Sequence, residues 1–120
     1  MQSFFFVFIG GGLGSICRYG LARLFVLKDW NFPLATLVAN TLACLVLGYL
    51  IGLGLKNNLS DTAKWLLVTG FCGGFSTFST FSAETYLLLQ EGHLATAFWN
   101  IAGSLLLCLV CIFIGLKMAN

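Results

Sequence analysis

The sequence predicts an all-α integral membrane protein with four membrane-spanning helices, the third of them broken near its middle. Hydrophobic residues make up 59% of the 120 residues, and charged residues only 8%. Soluble domains average about 45–50% apolar and about 25% charged residues. Six basic and four acidic side chains are too few to cover a water-soluble particle of this size. The composition therefore excludes a cytosolic enzyme and a nucleic-acid-binding protein, and it predicts a lipid bilayer as the surroundings.

Four long apolar segments are the second observation behind this fold class. They form a single membrane domain over residues 1–120 and cover roughly residues 3–26, 33–55, 62–89 and 94–116. Each has at least the ~20 residues that a helix needs to cross about 30 Å of hydrocarbon. Because no basic region precedes the first segment, we predict a retained span there and not a cleaved signal peptide.

The first segment contains two glycines one turn apart, Gly10 and Gly14, and the second contains Gly48 and Gly52. Small residues at this spacing allow helices to approach closely inside a membrane, so we predict close packing at both pairs. Arg18 lies deeper in the first segment than the other basic residues. It either extends to the interface or supplies positive potential to an aqueous vestibule.

The second segment also contains one strongly polar residue, Asn40, about two turns after Pro33. Proline suits a helix start because its missing N–H would lack a partner there. An asparagine in an apolar span indicates either a hydrogen bond from its side chain to another helix or a polar contact with an ion that passes through the membrane. In the fourth segment, Asn100 and Ser104 lie one turn apart and could extend such a polar track.

The third segment contains the stretch GFCGGFSTFSTFS, from Gly70 to Ser82. Glycine weakens a helix, and so does a run of serine and threonine. We therefore predict a break at Gly73-Gly74, near the bilayer centre. A break would free carbonyl oxygens, which suit a hard cation; close helix packing through glycine is the alternative.

After this predicted break, two aromatic residues share one helix face. At about 100° per residue, Phe78 and Phe81 fall on one side, whereas Ser76, Ser79 and Thr80 form a hydroxyl-bearing side. The positive edges of aromatic rings can approach an anion without offering it a fixed charge. Ordinary core packing remains the alternative interpretation of the two phenylalanines.

The five cysteines, odd in number and without metal-ligand spacing, are predicted to behave as small hydrophobic residues. They are Cys17, Cys44, Cys72, Cys108 and Cys111.

Glu84 lies about 10 Å from the centre of the third span at 1.5 Å per residue. It could reach the interface, a water-filled vestibule or a proton relay.

The basic residues give no preferred orientation in the membrane. With four spans, the N-terminus, the second loop and the C-terminus share one side. Three basic residues then lie on each side: Lys56, Lys64 and Lys117 on one, and Arg18, Arg23 and Lys28 on the other. Since the usual bias in Lys and Arg is absent, we predict insertion in both orientations and an antiparallel, dual-topology homodimer.

The motifs together resemble a known family. GFCGGFSTFSTFS resembles the signature of the Fluc (CrcB) fluoride channels. GGGLGSICRYG (10–20) resembles the first helix of that family, and TLVANTLACLVLG (36–48) its second-helix asparagine motif. The resemblance covers essentially the whole chain, and the third-helix motif is the most specific part.

The resemblance implies particular roles for particular residues. It implies a structural sodium ion on the dimer axis, held by the backbone carbonyls of Gly73 and Ser76 of each subunit. Carried over by motif position, the fluoride pathway and its vestibule comprise Asn40, Phe78, Phe81, Thr80, Ser104 and Arg18. Asn100 and Cys108 stand in the fourth helix where the family often places other polar groups.

The functional expectation is a passive, fluoride-selective channel in the bacterial inner membrane that exports cytoplasmic fluoride. The partners implied are a second copy of the chain, fluoride and lipid, with no nucleic acid. A small antiparallel four-span multidrug/proton antiporter is the main alternative, but it needs a titratable carboxylate in the first span, where this sequence has only Arg18. A nonselective, holin-like bundle is the third possibility.

Overall fold

The computed structural model describes residues 1–26 and 32–120, and within these ranges all regular secondary structure is helical. The first two spans are α1 (Gln2–Val26) and α2 (Leu34–Leu55). The third consists of α3 (Asp61–Ala63), a π-helical stretch (Lys64–Cys72), α4 (Gly73–Phe75) and α5 (Phe78–Gln90); α6 (Leu94–Met118) is the fourth. In the described part of the chain, four helical segments are long and apolar enough to cross a membrane, which confirms the predicted fold class. Lys28, one of the basic residues counted for orientation, lies outside the described residues.

Close glycine packing is confirmed in both of the predicted pairs. A Cβ atom on Gly10 would collide with the Leu66 carbonyl oxygen, and one on Gly14 with the carbonyl oxygen of Phe71. α1 therefore lies directly against the backbone of the first half of the third span. Gly48 and Gly52 hold α2 equally close to α6, because their Cβ atoms would meet the Ile112 backbone and the Ala119 side chain.

The C-terminus and the second loop lie at the same end of the protein, as an even number of spans requires. Lys56, directly after α2, donates from Nζ to the carbonyl oxygen of Ala119 at 2.7 Å. The longest dimension of the molecule is 47 Å. This length exceeds the hydrocarbon thickness of about 30 Å, so the ends of the bundle extend into the interfacial regions.

The third span is broken three residues later than the sequence predicts. Gly73 has helical angles (φ −64°, ψ −36°), and α4 continues through Phe75. The helix is interrupted at Ser76 and Thr77, which have extended backbones (ψ 156° and 122°). Gly74 is instead a packing residue, because a Cβ atom there would collide with the carbonyl oxygen of Gly11 on α1.

Candidate functional site

The break at Ser76 and Thr77 is stabilised on both of its sides by side-chain oxygens. The Ser76 hydroxyl donates to the Cys72 carbonyl oxygen at 2.7 Å, next to the bond from its own N–H at 3.0 Å. Thr77 caps α5, since its hydroxyl accepts a hydrogen bond from the backbone N–H of Thr80 at 3.2 Å. The side chains that follow the glycines therefore satisfy part of the backbone that the break exposes.

Asn40 holds the break from the neighbouring helix. Its Oδ1 accepts from the Thr77 N–H at 2.7 Å, and its Nδ2 donates to the Thr77 carbonyl oxygen at 3.1 Å. One side-chain amide thus pairs with both backbone groups of a single residue, as a neighbouring strand would. Of the two predictions for Asn40, the interhelical hydrogen bond is observed. The second hydrogen on Nδ2 is left for a further acceptor.

An open groove of about 400 Å³ lies beside the break and collects most of the predicted pathway residues. Its walls are formed by Asn40, Cys44, Ser76, Thr77, Phe78, Phe81, Ile101, Ser104, Leu105 and Cys108. Among the described residues that line it, none has a side chain with a formal charge. The groove therefore combines apolar walls with hydroxyl and amide groups.

The two predicted phenylalanines face each other at the start of α5. The ring centroids of Phe78 and Phe81 are 5.9 Å apart, with 37° between the ring planes. Phe78 is 79% exposed, whereas Phe81 is half-buried. Core packing therefore does not explain Phe78, whose ring has few neighbours in its own chain.

A buried polar chain continues from α5 into α6. Thr85 donates to the Phe81 carbonyl oxygen at 2.8 Å and accepts from Asn100 Nδ2 at 2.9 Å. The Asn100 side-chain oxygen in turn lies 3.5 Å from the hydroxyl of Ser104. Asn100 is only 1% exposed. Its amide is thus satisfied inside the protein, and Ser104 is the member of this chain that reaches the groove.

Arg18 lies in a second cavity on the other side of the break. This cavity, of about 280 Å³, is also lined by Thr77, Thr80 and Glu84. The Arg18 Nε donates to the carbonyl oxygen of Gly74 at 3.2 Å, so it caps the C-terminal end of the helix before the break, where a positive charge is favourable. Glu84 accepts a hydrogen bond from the Thr36 hydroxyl at 2.7 Å.

The structure divides the predicted site residues into three groups. Asn40, Ser76, Phe78, Phe81 and Ser104 line the groove, whereas Thr80 and Arg18 line the second cavity. Gly73 lies in neither, and it is exposed on the surface of the bundle.

Sequence reasoning missed two residues of this region. Thr77 lies between the two spaces, since it lines both, and Thr85 connects α5 to α6. The spacing of Thr85, one turn after Phe81, was the available signal. The role of Thr77 has no local signal, because it depends on Asn40, which is 37 residues away in the chain.

Fold and site together define a class: a small four-span membrane protein in which a broken helix borders an uncharged, largely apolar groove that contains a few hydroxyl and amide groups. Comparison with known families is more specific. The model of the family described as CrcB-like protein, Camphor Resistance (CrcB), matches residues 5–116. The chain therefore belongs to the CrcB family.

Curated relatives match along nearly the whole chain. One is the fluoride-specific ion channel FluC of Pyrococcus abyssi, 46% identical over 115 residues, which cover 93% of this chain and 91% of that protein. Another is the fluoride-specific ion channel FluC of Flavobacterium psychrophilum, 42% identical over an alignment of 123 positions, which covers 100% of this chain and 98% of that protein.

Proposed function

We propose that this protein is a passive, fluoride-selective ion channel that allows cytoplasmic fluoride to leave the cell. The observation that carries the proposal is the groove beside the broken third span. There Asn40, Phe78, Phe81 and Ser104, from three different spans, surround one uncharged space. Membership of the CrcB family and the names of the relatives support the same function. The protein is a channel and not an enzyme.

Fluoride is small and strongly hydrated, so a wide, water-filled pore would pass chloride equally well. A narrow path selects fluoride when its donors lie close enough to replace the lost water. The free Nδ2 hydrogen of Asn40 is such a donor. The Ser104 hydroxyl, whose bond to Asn100 Oδ1 is long at 3.5 Å, becomes a second donor when it turns toward the groove. The edges of the Phe78 and Phe81 rings add a weak positive potential. A lysine or arginine in the constriction would bind the anion too tightly for rapid release.

Arg18 is proposed to raise the local fluoride concentration without binding the ion in the pore. It lies in the second cavity, separated from the groove by Thr77. A fixed positive charge at the mouth of a low-dielectric path attracts anions over several ångströms. Its bond to the Gly74 carbonyl oxygen keeps the guanidinium group at this position.

The working channel is proposed to be an antiparallel homodimer of dual topology with two pores. Two features leave room for a second copy: Phe78 is largely exposed, and a Cβ atom on Gly73 would meet nothing within 4 Å. The groove is also open along one side, so a single subunit does not enclose it. The equal distribution of basic residues in the sequence favours insertion in both orientations.

A structural sodium ion on the dimer axis fits the backbone at the break. Neither the Gly73 nor the Ser76 carbonyl oxygen accepts a hydrogen bond from the residues that the structure describes. Carbonyl oxygens are ligands that hard cations accept. When bound, the ion would offset these dipoles and join the two subunits. Within the described residues, no cluster of acidic, histidine or cysteine side chains offers another place for it.

Fluoride efflux from proteoliposomes tests the proposed function. Vesicles loaded with potassium fluoride and supplied with a potassium ionophore should release fluoride to an external electrode, and chloride-loaded vesicles should release almost no chloride. Empty liposomes are the control. Equal release of both halides, leakage of a large dye, or cation uptake driven by a pH gradient would each contradict the proposal.

The proposed location is the bacterial inner membrane, where such efflux protects the cytoplasm.

A sodium titration tests the proposed assembly separately. Dimerisation of the purified protein in detergent should strengthen as sodium replaces a large organic cation, and cross-links should join subunits of opposite orientation. An unchanged monomer fraction across the titration would exclude the structural ion. Cross-links that join only parallel subunits would exclude the antiparallel pair.

A further inference from the structure

The contact between α2 and α6 brings three cysteines from two helices to the same level. The glycines fix the register, because Gly48 lies against the Ile112 backbone and Gly115 against the backbones of Leu45 and Tyr49. Gly48 of α2 therefore lies at the same height along the bundle as residues 112–115 of α6. The two helices run in the same direction, as the contact of Gly52 with Ala119 one turn further on requires.

One turn earlier, the same register places Cys44 level with the turn that contains Cys108 and Cys111. Cys44 and Cys108 both lie in the wall of the same groove. Both residues are half-buried, both line the groove, and neither is in a disulfide. Their spacing in the sequence hides this pair, because 64 residues separate its members and only the helix register brings them together.

The chemistry of this pair suits a soft cation. Thiolates prefer soft metal ions over hard ones. Within the described residues, no three His, Cys, Asp or Glu side chains are grouped to hold a metal. The pair therefore has too few ligands for an ion that prefers tetrahedral or octahedral coordination. Two facing thiols instead match a soft ion of linear, two-coordinate geometry.

We propose that Cys44 and Cys108 form a binding site for a soft divalent cation of the mercuric type in the wall of the groove. Each thiol loses its proton to solvent, and two metal–sulfur bonds replace two bonds from the metal to chloride or water, which leave; the metal keeps its oxidation state. The product carries no net charge, since the two thiolates balance the divalent ion. A neutral product is favoured in low-dielectric surroundings, where an unbalanced charge is costly.

Occupation of the site obstructs the fluoride path, and this consequence rests on the proposed function. Cys44 lies one turn after Asn40 on α2, and Cys108 lies one turn after Ser104 on α6. Each cysteine is therefore displaced by about 6 Å along its helix axis from a proposed fluoride donor, at 1.5 Å per residue, so a metal between the two sulfurs lies next to these donors. It also joins α2 and α6, which both contribute residues to the wall of the groove.

Binding is tested with mercuric chloride on purified protein that carries Cys17→Ala, which removes the exposed thiol on α1. One equivalent per subunit should remove two free thiols and release two protons. Cys44→Ala and Cys108→Ala, each in this background, should weaken binding roughly 100-fold, because the second sulfur no longer acts at high effective concentration. Cys111→Ala is the matched control and should bind as the parent does.

The proposal is overturned if Cys44→Ala and Cys108→Ala bind mercury as tightly as the parent, or if Cys111→Ala is the variant that loses binding. Fluoride efflux supplies the second readout. Mercury should stop efflux in the Cys17→Ala protein, an excess of dithiol should restore it, and each site variant should show the same efflux with mercury as it shows without mercury. Efflux that persists while both thiols are occupied overturns the obstruction. A complete absence of fluoride efflux before mercury is added contradicts the proposed function and leaves the thiol and proton counts to decide the site.

Discussion

The two halves of the third span differ in how they contact the rest of the protein. Before the break, residues 61–75 lie against α1 through backbone contacts that only glycine permits, at Gly10, Gly14 and Gly74. After the break, α5 is held by side-chain hydrogen bonds to α2 and α6, such as those of Glu84 and Thr85. The first half is thus a close-packed support, and the second half borders open space.

This difference shows how a small membrane protein can combine rigidity with a polar path. Backbone contacts between helices are tight and leave no room for an ion. Side-chain hydrogen bonds keep helices further apart, and their donors and acceptors remain near a space that an anion can enter. A substitution in the first half should therefore affect stability, and one in the second half should mainly affect conduction.

The largest expected effect is that of Asn40→Asp, on α2, because Asn40 pairs with Thr77 where the second half of the third span begins. A carboxylate there cannot donate to the Thr77 carbonyl oxygen, and it repels an anion in the groove. Two unit charges at about 4 Å and an effective dielectric constant of ~20 repel by about 4 kcal/mol, which slows passage roughly a thousandfold. Fluoride efflux from proteoliposomes measures this. Asn58→Asp, in the exposed loop after α2, is the control; efflux of Asn40→Asp at the wild-type rate would refute the role of Asn40.

Gly74→Ala should have the next largest effect, on stability. The added Cβ would collide with the Gly11 carbonyl oxygen, and relief of such overpacking typically costs about 1–3 kcal/mol. We expect a lower midpoint of unfolding in mixed micelles, followed by helical circular dichroism. If Gly74→Ala unfolds at the wild-type midpoint, α1 is not in close contact with this half of the span.

Ser104→Ala should reduce conduction moderately and leave the fold intact. Loss of one hydroxyl donor from the groove corresponds to about 0.5–1.5 kcal/mol, or roughly a 2- to 13-fold slower fluoride efflux. The unfolding midpoint should change little, because the bond from Ser104 to Asn100 is long, at 3.5 Å. A large loss of stability with unchanged efflux would assign Ser104 to the fold and not to the pathway.

Gly73→Ala should have the smallest effect on the subunit, although it adjoins Gly74. Nothing lies within 4 Å of the added Cβ, and alanine favours a helix over glycine by about 1 kcal/mol or less. The helical content should match that of the wild type. Since the proposed partner and sodium ion lie at this surface, the monomer fraction in detergent should rise; an unchanged fraction would place the partner elsewhere.

The sequence was sufficient for the features that depend on local composition and spacing. Four spans follow from the length and apolarity of the segments, and close packing follows from the glycine pairs at 10/14 and 48/52. Neighbouring aromatic rings follow from the three-residue spacing of Phe78 and Phe81. In each case the physical cause lies within one helix, so periodicity alone reveals it.

Other features needed the structure because their causes lie in another helix. Local propensity predicts the break at Gly73-Gly74, but packing of Gly74 on α1 keeps that pair helical. The break instead occurs where Asn40 can pair with the backbone of Thr77. The sodium ion, the dimer and the fluoride contacts stay predictions.

Thr77 forms a thin wall, since the groove and the Arg18 cavity both touch it. The two spaces are separated there by one extended residue, which is held to α2 by its two hydrogen bonds with the Asn40 side chain. These two hydrogen bonds can break without unfolding a helix, and their loss would free Thr77 to move and connect the two spaces. An ion that accepts the Asn40 amide hydrogen now bonded to the Thr77 carbonyl oxygen would weaken this attachment.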